Sequence, residues 1–468
     1  MTILKSYNDE YGDVNAVIEA LEVLLGDKLV TSAAVRKQHG GGELTYHKAQ
    51  SPDAVAFAQS TEQVAEIVKI CAQHKVPIVP YGAGSSLEGH IVALKGGICI
   101  DLSEMTAVVE LHAEDLDVTV QAGVTRQELN IYLRDTGLFF PIDPGAEATL
   151  AGMAATRASG TNAVRYGTMR DNVVNMTVVM PNGEIVKTGG RAKKSSAGYD
   201  LARLLIGSEG TLGIITELTL KLYGIPEKIL SAVCSFDSIE QACEAVILTI
   251  QAGVPVARIE LLDELQVQAC NAYSKLELAV RPTLFLEFHG TENGCQEQVD
   301  MFKDIADEFG SDDFKAASSA EDRNKLWKAR HDAYWAGCDM ALGLAHLSTD
   351  VCVPISNFAK AVVETQQDVV DSGLIGPIVG HAGDGNFHVL LSFDEDSPED
   401  MEKVKTFLDR LAARALAYEG TCTGEHGIGI GKAKYMRGEH GAGLDFMFAI
   451  KQALDPDNIM NPGKIFYS

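Results

Sequence analysis

Two clusters in the second half of the chain carry residue types whose spacing suits metal and proton chemistry. The first is Gly380-His381-Ala382-Gly383-Asp384-Gly385-Asn386-Phe387-His388. Ile378-Val379 precedes it and Val389-Leu390-Leu391 follows, while Gly383-Asp384-Gly385-Asn386 is turn chemistry. The pattern predicts a hairpin that brings His381 and His388 close together across a strand pair. The second cluster is Cys422-Thr423-Gly424-Glu425-His426-Gly427-Ile428-Gly429, which sets a carboxylate, Glu425, beside an imidazole, His426. Two histidines (His381, His388) and one carboxylate (Glu425) with open coordination positions suit a divalent first-row ion: zinc, manganese or iron. A 2-hydroxy acid can chelate such an ion through its carboxylate and hydroxyl oxygens. The ion then lowers the hydroxyl pKa, as it does for bound water. His426 is the candidate base, because an imidazole titrates near neutrality. Cys422 is left out of the ligand set, since oxygen chelation of a substrate does not need it.

A substrate carboxylate also wants a guanidinium, whose planar fork binds it through two hydrogen bonds. Residues 326–335 read as one helix that holds the chain's only two tryptophans, Trp327 and Trp335. That helix offers Arg330 as the candidate.

A third feature lies in the first half: Pro80-Tyr81-Gly82-Ala83-Gly84-Ser85-Ser86-Leu87-Glu88-Gly89. It fails the dinucleotide pattern G-x-G-x-x-G, because the third glycine comes two positions late. Gly431-Lys432 likewise fails as a P-loop, with Ala433 following and His426 where the first glycine belongs. What remains is a loop of backbone N–H groups and two serine hydroxyls. Such a loop can hold a pyrophosphate without a lysine.

These residues need elements to position them. Residues 14–25 carry apolar positions at helical spacing. A second helix opens at 60–64, with Thr61 as the expected cap and Val64, Ile67, Val68 and Cys71 on one face. Strands are expected at 76–80, 97–102, 117–123 and 213–220, and a hairpin at 175–180 and 184–187 around Pro181-Asn182-Gly183. Residues 144–167 are rich in Gly, Ala, Ser, Thr and Asn, which lets the backbone pass close to something flat and large. Beyond about 223, helices near 239–251 and 296–309 alternate with a strand near 282–289. The fold class read from this is α+β. Its parts are an N-terminal helical segment (1–47), a cofactor domain (48–225), an α+β substrate or cap domain (226–420) and a C-terminal segment (421–468). The last part is expected to dock back on the cofactor domain and complete the active site.

The bulk composition sets limits. With 468 residues, roughly two to four domains are expected. A net charge of -26 argues against nucleic acid as a partner and against a polybasic membrane anchor. No apolar run is long enough for an integral membrane segment. Met1 to Asp9 lack the charged-then-apolar pattern of a secretory signal. Nine scattered cysteines without a CxxC pair fit thiols in a reducing compartment rather than a disulfide framework.

Taken together, the glycine loop, the stretch 144–167 and Ile206-Gly207-Ser208-Glu209-Gly210-Thr211-Leu212-Gly213-Ile214-Ile215-Thr216 resemble the FAD domain of the vanillyl-alcohol-oxidase-type flavoproteins, over about residues 50–225. The resemblance implies a two-part FAD-binding domain. From the first loop it implies cofactor contacts at Pro80, Gly82, Ala83, Gly84, Ser85, Ser86 and Gly89. From the second stretch it implies Pro144, Gly145, Thr149, Gly152, Met153, Ser159, Gly160, Asn162, Tyr166 and Gly167. Glu209, Gly210, Gly213, Ile214 and Ile215 would lie along the flavin and adenine. Some members tether the flavin to a histidine beside the first loop. Ala83 and Ser85 stand there in this sequence, so non-covalent FAD is expected.

Further motifs look like the FAD-dependent D-lactate dehydrogenases of the cytochrome-linked kind: residues 327–335, 348–356, 380–388, 420–429 and Met460-Asn461-Pro462-Gly463-Lys464. The glycolate oxidase flavin subunit and D-2-hydroxyglutarate dehydrogenase share them. In these relatives the positions matching His381, His388 and Glu425 bind metal, the one matching His426 is the proposed base, and Asn461 joins the cofactor set. The resemblance implies oxidation of D-lactate to pyruvate, with electrons passed to an external acceptor: a cytochrome, a quinone or an electron-transfer flavoprotein. Glycolate and D-2-hydroxyglutarate are the alternative substrates. A flavin electron-transfer subunit of a larger complex is a further alternative, against which the intact set of four residues speaks. A zinc hydrolase is disfavoured by the flavin-type loops. The expected location is cytoplasmic, with peripheral contact at an inner membrane and a homodimer left open.

Overall fold

The computed structural model describes residues 11–42, 45–317 and 319–466. The segment Met1 to Asp9, read as carrying no secretory signal, lies outside them. The chain forms two compact units. Unit 1 comprises Met1–Ser159, Gly167–Ile225 and Glu425–Ser468, and unit 2 comprises Gly160–Tyr166 and Pro226–Gly424. The division follows the cores. The leading helix Val14–Leu25 buries Val17, Leu21 and Leu25 in the core of unit 1, as do Ile459 and Met460 near the end of the chain.

Among the described residues unit 1 holds two larger sheets, as expected of a two-part cofactor domain, and a short pair, Leu138–Phe139 with Tyr223–Gly224. In the first, Ala54–Phe57 and Ile78–Tyr81 flank Ile98–Asp101 in parallel, and Leu29–Val30 pairs antiparallel at the edge. The helix Thr61–His74 buries Val64, Ile67, Val68 and Cys71. Its cap is Ser60 and not Thr61: the Ser60 hydroxyl accepts from the Gln63 N–H at 3.2 Å. Thr61 is the first helical residue, and its hydroxyl donates to Thr216 at 2.9 Å. The second sheet is antiparallel, in the order Val108–His112, Asp117–Gln121, Ile214–Lys221, Val173–Val179, Ile185–Lys187. The last two strands are the hairpin around Pro181-Asn182-Gly183.

The C-terminal segment joins unit 1 through backbone pairing and buried charge. Ile78 donates to the Ile459 carbonyl at 2.7 Å, and the Asn461 N–H to the Ile78 carbonyl at 2.8 Å. Lys451 is buried against Asp455, and donates to the carbonyls of Thr211 (2.8 Å) and Met460 (2.9 Å). Asp455 in turn accepts from the N–H groups of Ile459 and Met460. Lys464 is buried and donates to the Val92 carbonyl at 2.7 Å.

Unit 2 is built on one antiparallel sheet, in the order Asp312–Ala316, Lys228–Ser235, Thr283–Gly290, Val256–Leu262, Ile378–His381, Asn386–Phe393, Ala345–Ser348, with Val351–Cys352 also paired to Asn386–Phe393. Strand side chains alternate between faces. One face sends Cys234, Ile259, Leu261, Leu284, Leu286, Ile378, Phe387 and Val389 into a core with the helices Ile239–Gln251, Glu292–Glu308, Phe358–Ser372 and Pro398–Ala417. The other face puts Val233, Leu262 and Phe285 against Glu264–Ser274, Ala320–His331 and Ala333–Asp339. Two expectations change here. The helix expected from about 296 opens at Glu292, where Thr291 caps the Gly294 N–H at 3.2 Å. The single helix read over 326–335 is two, broken at Asp332, which has φ -77 and ψ 1. No Gly or Pro stands at the break, and the Asp332 carboxylate pairs with Lys328 one turn earlier. The stretch 160–166 belongs with unit 2 because Arg165 donates to the Pro255 carbonyl at 2.5 Å and Val164 packs at Gly383.

Burial pushes the Lys464 amine down to about 8, against the pull of Glu209. An unfolded lysine titrates near about 10.4, so between these values the unfolded chain holds a proton that the folded chain lacks. The cost of burying the charge is fully present below pH 8 and is relieved as pH rises. Compared with Lys464→Met, the unfolding free energy of the wild type should therefore climb by on the order of 2–3 kcal/mol between pH 7 and pH 10. Urea titrations at the two pH values measure this. A difference that does not change with pH would exclude it.

Candidate functional site

The alternation that builds the apolar core of unit 2 also sorts its polar chemistry. Ile259 and Leu261 face the larger core, so Arg258 and Glu260 face the other way. In the hairpin, His381 pairs with Asn386 and Val379 with His388. The two histidines are thus diagonal neighbours on the same face as Glu260, with ring centroids 5.5 Å apart and planes at 84°. Both are buried. The Nδ1 of His381 lies 3.0 Å from each oxygen of Glu260. The Nδ1 of His388 lies 2.8 Å from the Thr349 carbonyl. Each ring is therefore held through Nδ1, with Nε2 as the remaining ring nitrogen. Metal-binding histidines are oriented in this way by a carboxylate or a carbonyl on the opposite nitrogen.

The turn at Thr423-Gly424, which ends unit 2, is set by a buried carboxylate. Asp350, buried, accepts from Asn386 Nδ2 and from the Thr423 hydroxyl, both at 2.7 Å. Gly424 then passes so close that a Cβ there would stand 2.2 Å from Asn386 Nδ2. Only glycine fits. Glu425 follows one peptide bond later, at the edge of this turn. His381 and His388 both lie in unit 2, while Glu425 belongs to unit 1. The two oriented, buried rings of unit 2 suit a divalent cation.

Arg330 is buried rather than exposed on its helix. Its Nη2 meets Glu260 at 2.5 Å, and its Nε has no hydrogen-bond partner among the described residues. Burial raises the Glu260 pKa, but the charges of His381 and Arg330 and their hydrogen bonds outweigh it and hold the carboxyl below its ordinary value. Sequence reasoning missed Glu260. The available signal was a charge in the otherwise apolar run Ile259-Glu260-Leu261-Leu262.

In unit 1, several expected cofactor segments meet. A Cβ on Gly82 would stand 2.4 Å from the Thr149 hydroxyl, and one on Gly210 would stand 2.3 Å from Pro80. Glu209 offers its carbonyl to Asn461 Nδ2 at 2.7 Å. The backbone N–H groups of Ala83, Gly84, Ser85 and Ser86 make no hydrogen bond among the described residues. A row of such donors fits a pyrophosphate. Gly84 has φ +68, and a Cβ there would press on the Tyr81 hydroxyl at 2.4 Å. Asn461 Oδ1 is buried without a hydrogen-bond partner among the described residues.

Other expected cofactor residues have different surroundings. Thr149 caps a short helix through the Gly152 N–H at 3.3 Å. Met153, Ile214 and Ile215 are buried in the apolar core of unit 1. The Glu209 carboxylate accepts from the N–H groups of Ile428 (2.6 Å) and Gly429 (2.8 Å), so it clamps the C-terminal segment. Gly89, Pro144, Gly145, Ser159, Gly167 and Gly213 belong to unit 1, while Gly160, Asn162 and Tyr166 belong to unit 2. There Asn162 accepts from Arg258 Nε at 2.9 Å, and the Tyr166 hydroxyl meets His289 Nδ1 at 2.7 Å. His426 acts electrostatically on the buried Glu88, which also meets Lys432 at 3.5 Å and His47 at 3.6 Å. Burial raises the Glu88 pKa, but Lys432, His47 and His426 hold it below the ordinary value.

Comparison with known proteins fits both units. Residues 52–189 match the FAD binding domain, and residues 225–465 match the C-terminal domain of FAD linked oxidases. The chain belongs to the FAD-linked oxidases. This FAD-linked oxidase is 51% identical to a probable mitochondrial D-lactate dehydrogenase of Danio rerio, over 97% of the chain and 92% of that protein. It is 48% identical to a mitochondrial cytochrome-type D-lactate dehydrogenase of Arabidopsis thaliana, over 97% of the chain and 81% of that protein. The solved structure of p-cresol methylhydroxylase with substrate bound superposes with a TM-score of 0.77 at 17% identity, covering 96% of each chain, which shows the shared fold. The expectation of a cytoplasmic enzyme is overturned by these relatives, since both bear the name mitochondrial. None of the cysteines forms a disulfide, and among the described residues no helix is long and apolar enough to cross a membrane.

Gly84→Ala should weaken FAD binding about tenfold, because a left-handed conformation costs a residue with a Cβ about 1–2 kcal/mol and the methyl group displaces Tyr81. The ratio of flavin to protein absorbance after extensive dialysis reads this directly. Full flavin retention would show that the loop does not cradle the cofactor.

Proposed function

We propose that this chain is an FAD-dependent D-lactate dehydrogenase that oxidises D-lactate to pyruvate and passes the electrons to an external acceptor. The observation that carries the reading is the near-full-length identity of 51% and 48% to proteins named for that activity. The buried pair of oriented imidazoles beside a carboxylate supports it, because a 2-hydroxy acid offers two oxygens to one cation.

FAD, when bound non-covalently at the Gly82–Ser86 loop, supplies the acceptor for the hydride that leaves C2. A divalent ion, when held by His381, His388 and Glu425, supplies the positive charge that makes the substrate hydroxyl more acidic. Zinc, manganese and iron all suit this donor set. His426 takes the hydroxyl proton as C2 is oxidised. Arg330, buried and with its Nε unsatisfied, donates to the substrate carboxylate. The carboxylate of lactate thereby gains an anchor that acts on one end of the molecule, while His426 acts on the hydroxyl.

Two measurements test the reading. Under anaerobic conditions D-lactate should bleach the flavin fully, with L-lactate, glycolate and D-2-hydroxyglutarate slower by at least about tenfold, which corresponds to about 1.4 kcal/mol in the barrier. Faster bleaching by glycolate or D-2-hydroxyglutarate would move the assignment to that acid. Removing divalent ions with a chelator should abolish bleaching by D-lactate while FAD stays bound, and manganese or zinc should restore it. Chelator-resistant bleaching would remove the metal from the reaction.

A further inference from the structure

The carboxylate of Glu260 has no place in the reaction as described, yet it stands at the centre of it. It is 1% exposed, and it lies on the Val256–Leu262 strand between Ile259 and Leu261, both in the apolar core. It is 3.0 Å from His381 Nδ1 through each oxygen and 2.5 Å from Arg330 Nη2. One buried group thus touches both an expected metal ligand and the expected carboxylate anchor.

We propose that Glu260 is a positioning residue, which fixes the His381 ring as a metal ligand and the Arg330 guanidinium as a substrate anchor at the same time. The inference rests on the metal-dependent reading of the site. Three observations support it. The adjoining strand fixes the distance: Glu260 is the register partner of His381, so the carboxylate and the imidazole stand side by side on one face. A carboxylate on Nδ1 fixes the tautomer that carries its lone pair on Nε2 and strengthens that nitrogen as a ligand. Arg330 is likewise tethered through one end only, and its buried Nε still lacks an acceptor. An unmet buried N–H is costly, so this donor is open to an acceptor. A bound anion would satisfy it.

Glu260→Gln is nearly isosteric and removes the charge. Its single amide oxygen can accept from His381 or from Arg330, and its NH2 group must then face a donor. The test uses the full chain loaded with FAD and stripped of metal by a chelator. Manganese is titrated in by calorimetry, and KM and kcat for D-lactate are measured at saturating manganese. The variant should keep its FAD and its native fold, lose about 10–100-fold in manganese affinity, and show a KM for D-lactate raised more than its kcat is lowered. Glu260→Asp keeps the charge with a shorter reach and should fall between wild type and Gln. Should the Gln variant fail to fold, the Asp variant alone carries the same expectation for manganese affinity. Wild-type manganese affinity in a folded variant would overturn the role of Glu260 while leaving the metal site standing. Failure of both variants to fold would make the carboxylate structural and also overturn it. A wild-type protein that binds neither manganese nor zinc would instead fell the metal reading beneath it.

Discussion

A carboxylate removed from water must be met by charge or by several donors, or it will not stay ionised. Both units of this chain are organised around groups placed under that demand. In unit 1, Asp455 holds Lys451 and two backbone N–H groups, and Glu209 holds the N–H groups of Ile428 and Gly429. The Glu209 pairings bind the last segment of the chain to a turn far earlier in the sequence, while those of Asp455 close within that segment. In unit 2, Glu260 holds His381 and Arg330, and Asp350 holds Asn386 and Thr423. The same rule therefore closes the fold in one unit and sets the site in the other. A neutral residue in any of these places would leave several donors without an acceptor.

The sheet of unit 2 separates stability from chemistry by its two-residue period. Odd and even positions along Val256–Leu262, Ile378–His381 and Asn386–Phe393 go to opposite faces. One set closes the large apolar core. The other carries Glu260, His381 and His388. A slip of one residue in register would exchange the two sets, so the apolar core itself enforces the alignment of the imidazoles. The price of polar groups on a buried face is met by hydrogen bonds to Thr349, Glu260 and Asp350 rather than by exposure to water.

Much of this was legible in the sequence. Apolar periodicity and turn residues placed the helices Val14–Leu25 and Ile239–Gln251 and the hairpins at 175–187 and 378–391, because local spacing fixes which face of an element is apolar. The glycine loop and the His381, His388, Glu425 and His426 set were recognisable because their chemistry demands rare residue types at short spacing. Three things were not legible. The break at Asp332 is a change of backbone angle that no Gly or Pro announces. The transfer of 160–166 to unit 2 depends on where Arg165 and Val164 find partners. The partners of His381 and Arg330 come from a strand more than a hundred residues away from His381, and only tertiary packing brings Glu260 to them.

The sequence by itself determined the family and the element types, since these follow from residue identity and local spacing. The tertiary structure alone decided which buried acid meets which base, that Arg330 shares its charge with Glu260, and that Gly424 must be glycine so that the chain can pass Asn386. The physical reason is that burial, and with it the cost of an unpaired charge, is a property of neighbours in space. Residues far apart along the chain supply those neighbours.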